Sequence, residues 1–192
     1  MYHAGVAFIG PIRSGKSTMA TAMAQKYGGT KLSFADALRE EVADMLSKYV
    51  SSVPSEQSIL KANMLIEMTN PGLKKKYRTI LQWWGTEFRR EICHDENYWV
   101  NKLVDKIATT ATTGPFWVDD CRFANEYNML RKLGFYFVKL EPNPDETEDV
   151  ASVSKHASEE EWSRFDVNAY ITWKPIEERV DAISRFLENA KE

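Results

Sequence analysis

The chain is poor in the features that would place it in a secreted, membrane or nucleic-acid-coating class. It has two cysteines in 192 residues, Cys93 and Cys121, with no CxxC spacing, which argues against a disulfide framework or a structural zinc site. No apolar run approaches the roughly 18 residues needed to span a bilayer. The N-terminus lacks the basic segment and long apolar core of a signal peptide. Charge of one sign is also scarce: 25 Lys and Arg stand against 28 Asp and Glu, a formal net charge of -3. A general electrostatic footprint for a nucleic-acid polymer or a membrane surface is therefore not expected. The expectation is a reduced, cytoplasmic protein, large enough to bury a core without staples.

Strand-like apolar runs alternate with helical periods, the pattern of βαβ units around a parallel sheet. "AGVAFIG" reads as a buried first strand, and "KSTMATAMAQKYGG" as a helix ended by Gly28 and Gly29. "KLSF", "PFWVDD", "FYFVKL" and "NAYITW" supply four more strands, giving an α/β class with about five parallel strands flanked by helices. Helical periods cover "ADALREEVADMLSKYV", a segment starting near Ser55, residues 78–90, "NYWVNKLVDKIAT", "NEYNMLRKLG" and "PIEERVDAISRFLENA". The whole is read as one domain, with a helical region at about 50–113. Residues 141–165 are acidic and rich in turn-formers, either a solvated loop or a lid.

Between the first strand and the first helix stands "GPIRSGKST", which meets the spacing G-x-x-x-x-G-K-[ST] at Gly10, Gly15, Lys16 and Ser17. Glycines let backbone N–H groups turn inward, and the helix N-terminus adds a field that favours phosphate. Arg13, Ser14, Gly15, Lys16, Ser17 and Thr18 are the expected contacts to ATP or GTP. Lys16 would reach the β- and γ-phosphates, and the Ser17 hydroxyl would join the shell of Mg2+. "WVDDCR" ends a strand in Asp119 and Asp120, of which one can serve magnesium through a water while the other caps a helix; Asp120 is the favoured ligand.

The acceptor side is set by charge. A hydroxyl acceptor needs a base, whereas a phosphate acceptor needs arginines that hold two anions together. Arg78, Arg89, Arg90 and Arg122 are candidates. Arg78 stands four residues before Gln82, on one helical face. Gln82 offers a donor and an acceptor to a base edge, and Trp83, Trp84 and Trp99 can stack on it. The plain alternatives are surface ion pairs and core tryptophans. Asp36 follows the second strand, as a base, a ribose contact, an organiser of water around magnesium or a simple helix-start carboxylate.

Together "GPIRSGKST", "FADALRE", "LQWWGTEFRR", "DENYWV", "VDDCRFANE" and "KHASEE" resemble the phage-type deoxynucleoside monophosphate kinases, in that family's order over roughly residues 5 to 172. The resemblance implies a P-loop kinase fold and ATP- and magnesium-dependent conversion of a dNMP to a dNDP in the cytoplasm of the host cell. It implies donor roles for Lys16 and Ser17, acceptor contacts from Arg78, Gln82, Gly85 and Thr86, and substrate-side places for Trp99 and Asp120. Thr79 departs from relatives that carry a second basic residue there. His156 matches an "H-x-S-E" segment with no assignable chemistry. Two other readings are a hydroxyl kinase like dephospho-coenzyme A kinase, with Asp36 as base, and an ATP-binding switch that transfers nothing. The six tryptophans leave a homodimer open, core placement being the plainer expectation.

Overall fold

A computed structural model describes residues 4–70, 72–144 and 161–190. The expected lid falls largely outside the described residues, as does His156. The chain divides into two compact units, one made of Met1–Ser33 and Lys106–Glu192, the other of Phe34–Asp105.

The first unit is built on five parallel strands: β1 (Gly5–Ile9), β2 (Thr30–Leu32), β3 (Phe116–Val118), β4 (Tyr136–Leu140) and β5 (Ala169–Ile171), in the order β2-β3-β1-β4-β5. Every expected strand is present. β1 is central and buried along its whole length, as its unbroken apolar sequence requires when both faces are covered. Its register pairs Ala7 with Val118 on one side and Phe137 on the other.

On one face Val6, Phe8, Trp117, Val138 and Leu140 pack with Met19, Ala20 and Met23 of α1 (Lys16–Tyr27) and Val180 and Ile183 of α7 (Ile176–Asn189). On the other face Tyr127 of α6 (Ala124–Lys132) meets Phe137, with ring centroids 4.4 Å apart. The chain leaves β1 through α1 toward the β2 edge and leaves β3 through α6 toward β4. Adjacent strands β1 and β3 thus send their connections in opposite directions, and ligands of open α/β sheets bind at the carboxyl ends of such a pair.

The second unit holds α2 (Phe34–Val50), α3 (Pro54–Thr69), a 3-10 turn (Lys74–Tyr77), α4 (Arg78–Gln82), a π-helix (Trp83–Ile92) and most of α5 (Tyr98–Thr109). Its core joins Val42 and Ala43 of α2 to Met68 of α3, with Leu38, Leu81 and Trp84 around them. This helical unit begins at Phe34, not near position 50, because the apolar face of α2 is spent on α3. Among the described residues no helix is long and apolar enough to cross a membrane.

Candidate functional site

Loop 10–15 leaves the carboxyl end of β1 in a tight turn, with the Ser14 N–H donating to Pro11 O at 3.2 Å. A Cβ on Gly10 would lie 2.5 Å from Leu140 O and 2.8 Å from Ser14 Oγ, so the loop closes only over glycine. Gly15, at φ 84, stands in the left-handed region immediately before α1. Arg13 also has positive φ, 62, an uncommon conformation for a residue with a Cβ.

Gly15, at the N-cap of α1, makes no side-chain cap, and the first turn contains no acidic residue. It begins instead on Lys16, whose Nζ donates to Gly10 O at 2.8 Å and Pro11 O at 2.7 Å and lies 3.5 Å from Ser14 Oγ. A cation at the positive end of a helix is disfavoured unless an anion answers it. Ser17 and Thr18 are exposed. They line a groove of about 840 Å³ between α1 and α7, with Thr21, Lys31, Ile176 and Val180.

The end of β3 separates the two aspartates. Asp119 is buried, 5 % exposed, and paired with Lys31 at 3.0 Å. Asp120 is only half-buried and accepts the Ser33 hydroxyl. The partner of Asp119 makes it a structural anchor and leaves Asp120 the better placed to reach a ligand. Neither caps α6. Glu126 does so, its Oε2 accepting from the N–H groups of Arg122 (2.8 Å) and Phe123 (3.1 Å), while Glu161 accepts from the Ala124 N–H at 2.8 Å. Both carboxylates suit the positive helix end, and they fix the half-buried Arg122 just beyond β3. Cys121 is buried, and that burial, with the charges of Glu126 and Asp120, pushes its thiol well above the usual range. It stays protonated at neutral pH and is no nucleophile.

The helical unit gathers the other candidates. The expected α-helix over residues 78–90 is real only to Gln82; from Trp83 it widens to a π-helix. A π segment of this kind re-aims side chains and is frequent at functional sites. Gly85 is its tightest point: a Cβ there would lie 2.9 Å from Leu38 Cδ2, and its carbonyl accepts from Trp99 Nε1 at 2.9 Å. Trp99 is 3 % exposed. It is a core residue that shapes the π-helix around Gly85 and does not present a stacking face, whereas Trp83 is exposed. Thr86 and Gln82 are half-buried.

The arginines are not equivalent. Arg89 Nη2 donates to Glu41 Oε1 and its guanidinium lies 4.2 Å from the Tyr98 ring centroid. Glu41 also accepts from Trp84 Nε1 (3.0 Å) and Tyr98 OH (2.9 Å). Arg89 is therefore a strut of the unit. Arg78, by contrast, is exposed at the start of α4, and among the described residues it has no ion-pair partner. The run Lys74, Lys75, Lys76 precedes it on the 3-10 turn, a basic cluster that the sequence reading passed over although "KKKYR" displays it. Asp36 is half-exposed in the first turn of α2 and bonded by Arg39 Nη1 at 2.7 Å, the arrangement of a helix-start carboxylate.

Burial alone would raise the Glu41 carboxyl, but the hydrogen bonds from Arg89, Trp84 and Tyr98 and the Arg89 charge outweigh it, so its pKa is held below the ordinary 4.5. A depressed carboxyl contributes stability above its unfolded value and loses it as pH falls through the folded one. Glu41→Gln should thus cost about 1–3 kcal/mol at pH 7. In urea unfolding at successive pH values, the gap to wild type should shrink below pH 4.5. A gap constant down to pH 3 would contradict an ionised Glu41.

A scan against protein-family models finds none that matches this chain, and a comparison with curated proteins finds no match.

Proposed function

We propose that the chain is an ATP-dependent deoxynucleoside monophosphate kinase with a P-loop kinase fold, which transfers the γ-phosphoryl of ATP to a dNMP and yields dNDP and ADP. The observation that carries the reading is the Gly10–Ser17 loop. A helix start, a left-handed glycine at its N-cap and a lysine held over the loop carbonyls meet at the carboxyl end of β1, beside the divergent β3. That cradle is shaped for anionic oxygen, and the first turn of α1 contains no acidic residue.

The donor half belongs to the sheet unit. Backbone N–H groups of residues 13–18 would bind the β- and γ-phosphates, Lys16 would follow the charge as it moves to the bridging oxygen, and the groove beyond Thr18 gives the rest of the nucleotide room. Ser17 and Asp120 would hold magnesium, which needs few protein ligands when phosphates and waters complete its shell; it would supply positive charge to the transferring group. The acceptor half belongs to the helical unit, where Arg78 would hold the dNMP phosphate and Gln82 a base edge. A phosphate oxygen of the dNMP attacks the γ-phosphorus, the bond to the β,γ-bridging oxygen breaks, and ADP leaves with the electron pair. A phosphate acceptor is already ionised at neutral pH and needs no base.

The Arg39–Asp36 pair favours this acceptor over a hydroxyl, because a general base already bonded to a guanidinium is a poor one. Asp36→Asn separates the two. In a phosphate-acceptor kinase it should lower kcat by less than about tenfold, whereas loss of a general base costs about 10²- to 10⁴-fold. Steady-state kinetics with dNMP acceptors decides, and a loss in the larger range would move the reading to a hydroxyl kinase.

A further inference from the structure

Arg179 lies in the first turns of α7 and is 4 % exposed. Its Nη2 donates to Ser14 O at 2.9 Å. Its Nη1 lies 3.3 Å from the place a Cβ on Gly15 would take, so the guanidinium sits directly against the turn that opens α1. The other side packs on Trp173, 5.1 Å from the ring centroid. Its Nε is buried with no hydrogen-bond partner, and among the described residues no carboxylate comes within ion-pair distance. Burial pulls its pKa down from the ordinary value, and the more distant Glu141 offsets that only in part; an arginine so placed stays protonated.

A buried cation without a paired anion is costly, and the start of a helix is the wrong end for it. The first turn of α7 carries Glu177 and Glu178, yet among the described residues neither reaches Arg179 at ion-pair distance. The buried guanidinium and the backbone N–H groups that open α1 meet at one loop, and a polyanion on loop 10–15 would answer both.

We infer that Arg179 is a positioning residue for the donor phosphates: it clamps the Ser14–Gly15 turn from within the fold and lends its uncompensated charge to the anion bound on the other side. The inference rests on the kinase reading only for the identity of the anion. Lys16 supplies a mobile charge that can follow the transferring group, and Arg179 a fixed one that does not move. Gly15 then supplies the left-handed backbone and lets the guanidinium lie close, since a Cβ there would sit 3.3 Å from Nη1.

The test compares wild type, Arg179→Met and Arg179→Lys by calorimetric titration with inorganic tripolyphosphate at fixed ionic strength, alongside steady-state kinetics. Arg179→Met should weaken tripolyphosphate binding about tenfold or more and raise the KM for ATP in step, with the KM for dNMP changed less than about twofold. Arg179→Lys, which keeps the charge, should return to within about threefold of wild type. A Met variant that binds like wild type, or a Lys variant no better than Met, overturns the inference. If the Met variant does not fold, nitrogen-15 resonances of the Arg179 guanidinium in the wild-type chain carry the test: they should shift on saturation with tripolyphosphate, and resonances that stay put overturn it. Wild-type protein that binds tripolyphosphate through Arg179 yet phosphorylates no nucleotide would sink the kinase reading alone. Transfer to dNMP with indifference to Arg179→Met would sink this inference alone.

Discussion

Lys16→Ala is expected to lower dNMP-dependent ADP release by about 100- to 1000-fold, the range seen when one preorganised donor to a developing oxyanion is removed. The side chain is already oriented in the protein, bonded to Gly10 O and Pro11 O and near Ser14 Oγ. On the proposed reading, phosphate oxygens would replace those carbonyl partners. Charge shifts from the γ-phosphoryl oxygens to the bridging oxygen as the bond breaks, and a lysine on a flexible stem can follow that shift where a backbone N–H cannot. The change also removes the bonds to Gly10 O and Pro11 O, so thermal unfolding without nucleotide should show a loss of about 1–3 kcal/mol, while rapid-quench kinetics should place the defect in the chemical step. A variant that transfers phosphate at half the wild-type rate would remove the loop from the mechanism.

The second large effect is on the acceptor. Arg78→Ala should reduce kcat/KM for the dNMP by about 10- to 100-fold, from the roughly 1.5–3 kcal/mol carried by a hydrogen bond to a charged group. The KM for ATP should hardly move. Arg78 is singled out among the arginines because it is exposed and among the described residues has no ion-pair partner, while Arg89 is committed to Glu41 and Tyr98 and Arg39 to Asp36. Arg89→Ala should instead appear first as a loss of stability, because it removes a cation from around Glu41 and leaves a half-buried carboxylate with only neutral donors. Kinetics on the two variants, with urea unfolding beside them, separates the two roles. An Arg78 variant whose dNMP kinetics match wild type would mean that another cation holds the acceptor phosphate.

The sheet was legible in the sequence because buried parallel strands are written as apolar runs, and "AGVAFI", "PFWV" and "FYFVKL" are such runs. The turn between β1 and α1 was legible because its glycines are local: Gly10 and Gly15 stand together before one helix. What escaped the reading depends on contacts distant in sequence. The π-helix over Trp83–Ile92 forms around Gly85, which Leu38 and Trp99 approach from other helices, and nothing in "WWGTEFRREI" alone shows that a 3.6 period will fail there. The roles of Asp119 and Asp120 are told apart by Lys31 and Ser33, roughly ninety residues earlier. Arg179 looks like a surface arginine in "PIEERVDAISRF". It nevertheless falls at helical spacing from Ile176 and Ile183, on the stripe that the sheet buries, and a lone charge on an apolar stripe was the signal to notice.

The central claim is that the phosphate bound by loop 10–15 is passed to another phosphate. Acceptor-dependent ADP release, measured with ATP and magnesium across a panel of dNMPs and NMPs against the Lys16→Ala variant, tests it most directly. ADP release with at least one dNMP, well above that variant and accompanied by the matching dNDP, is the predicted result. ATP binding with no release above the variant for any nucleotide in the panel would contradict it.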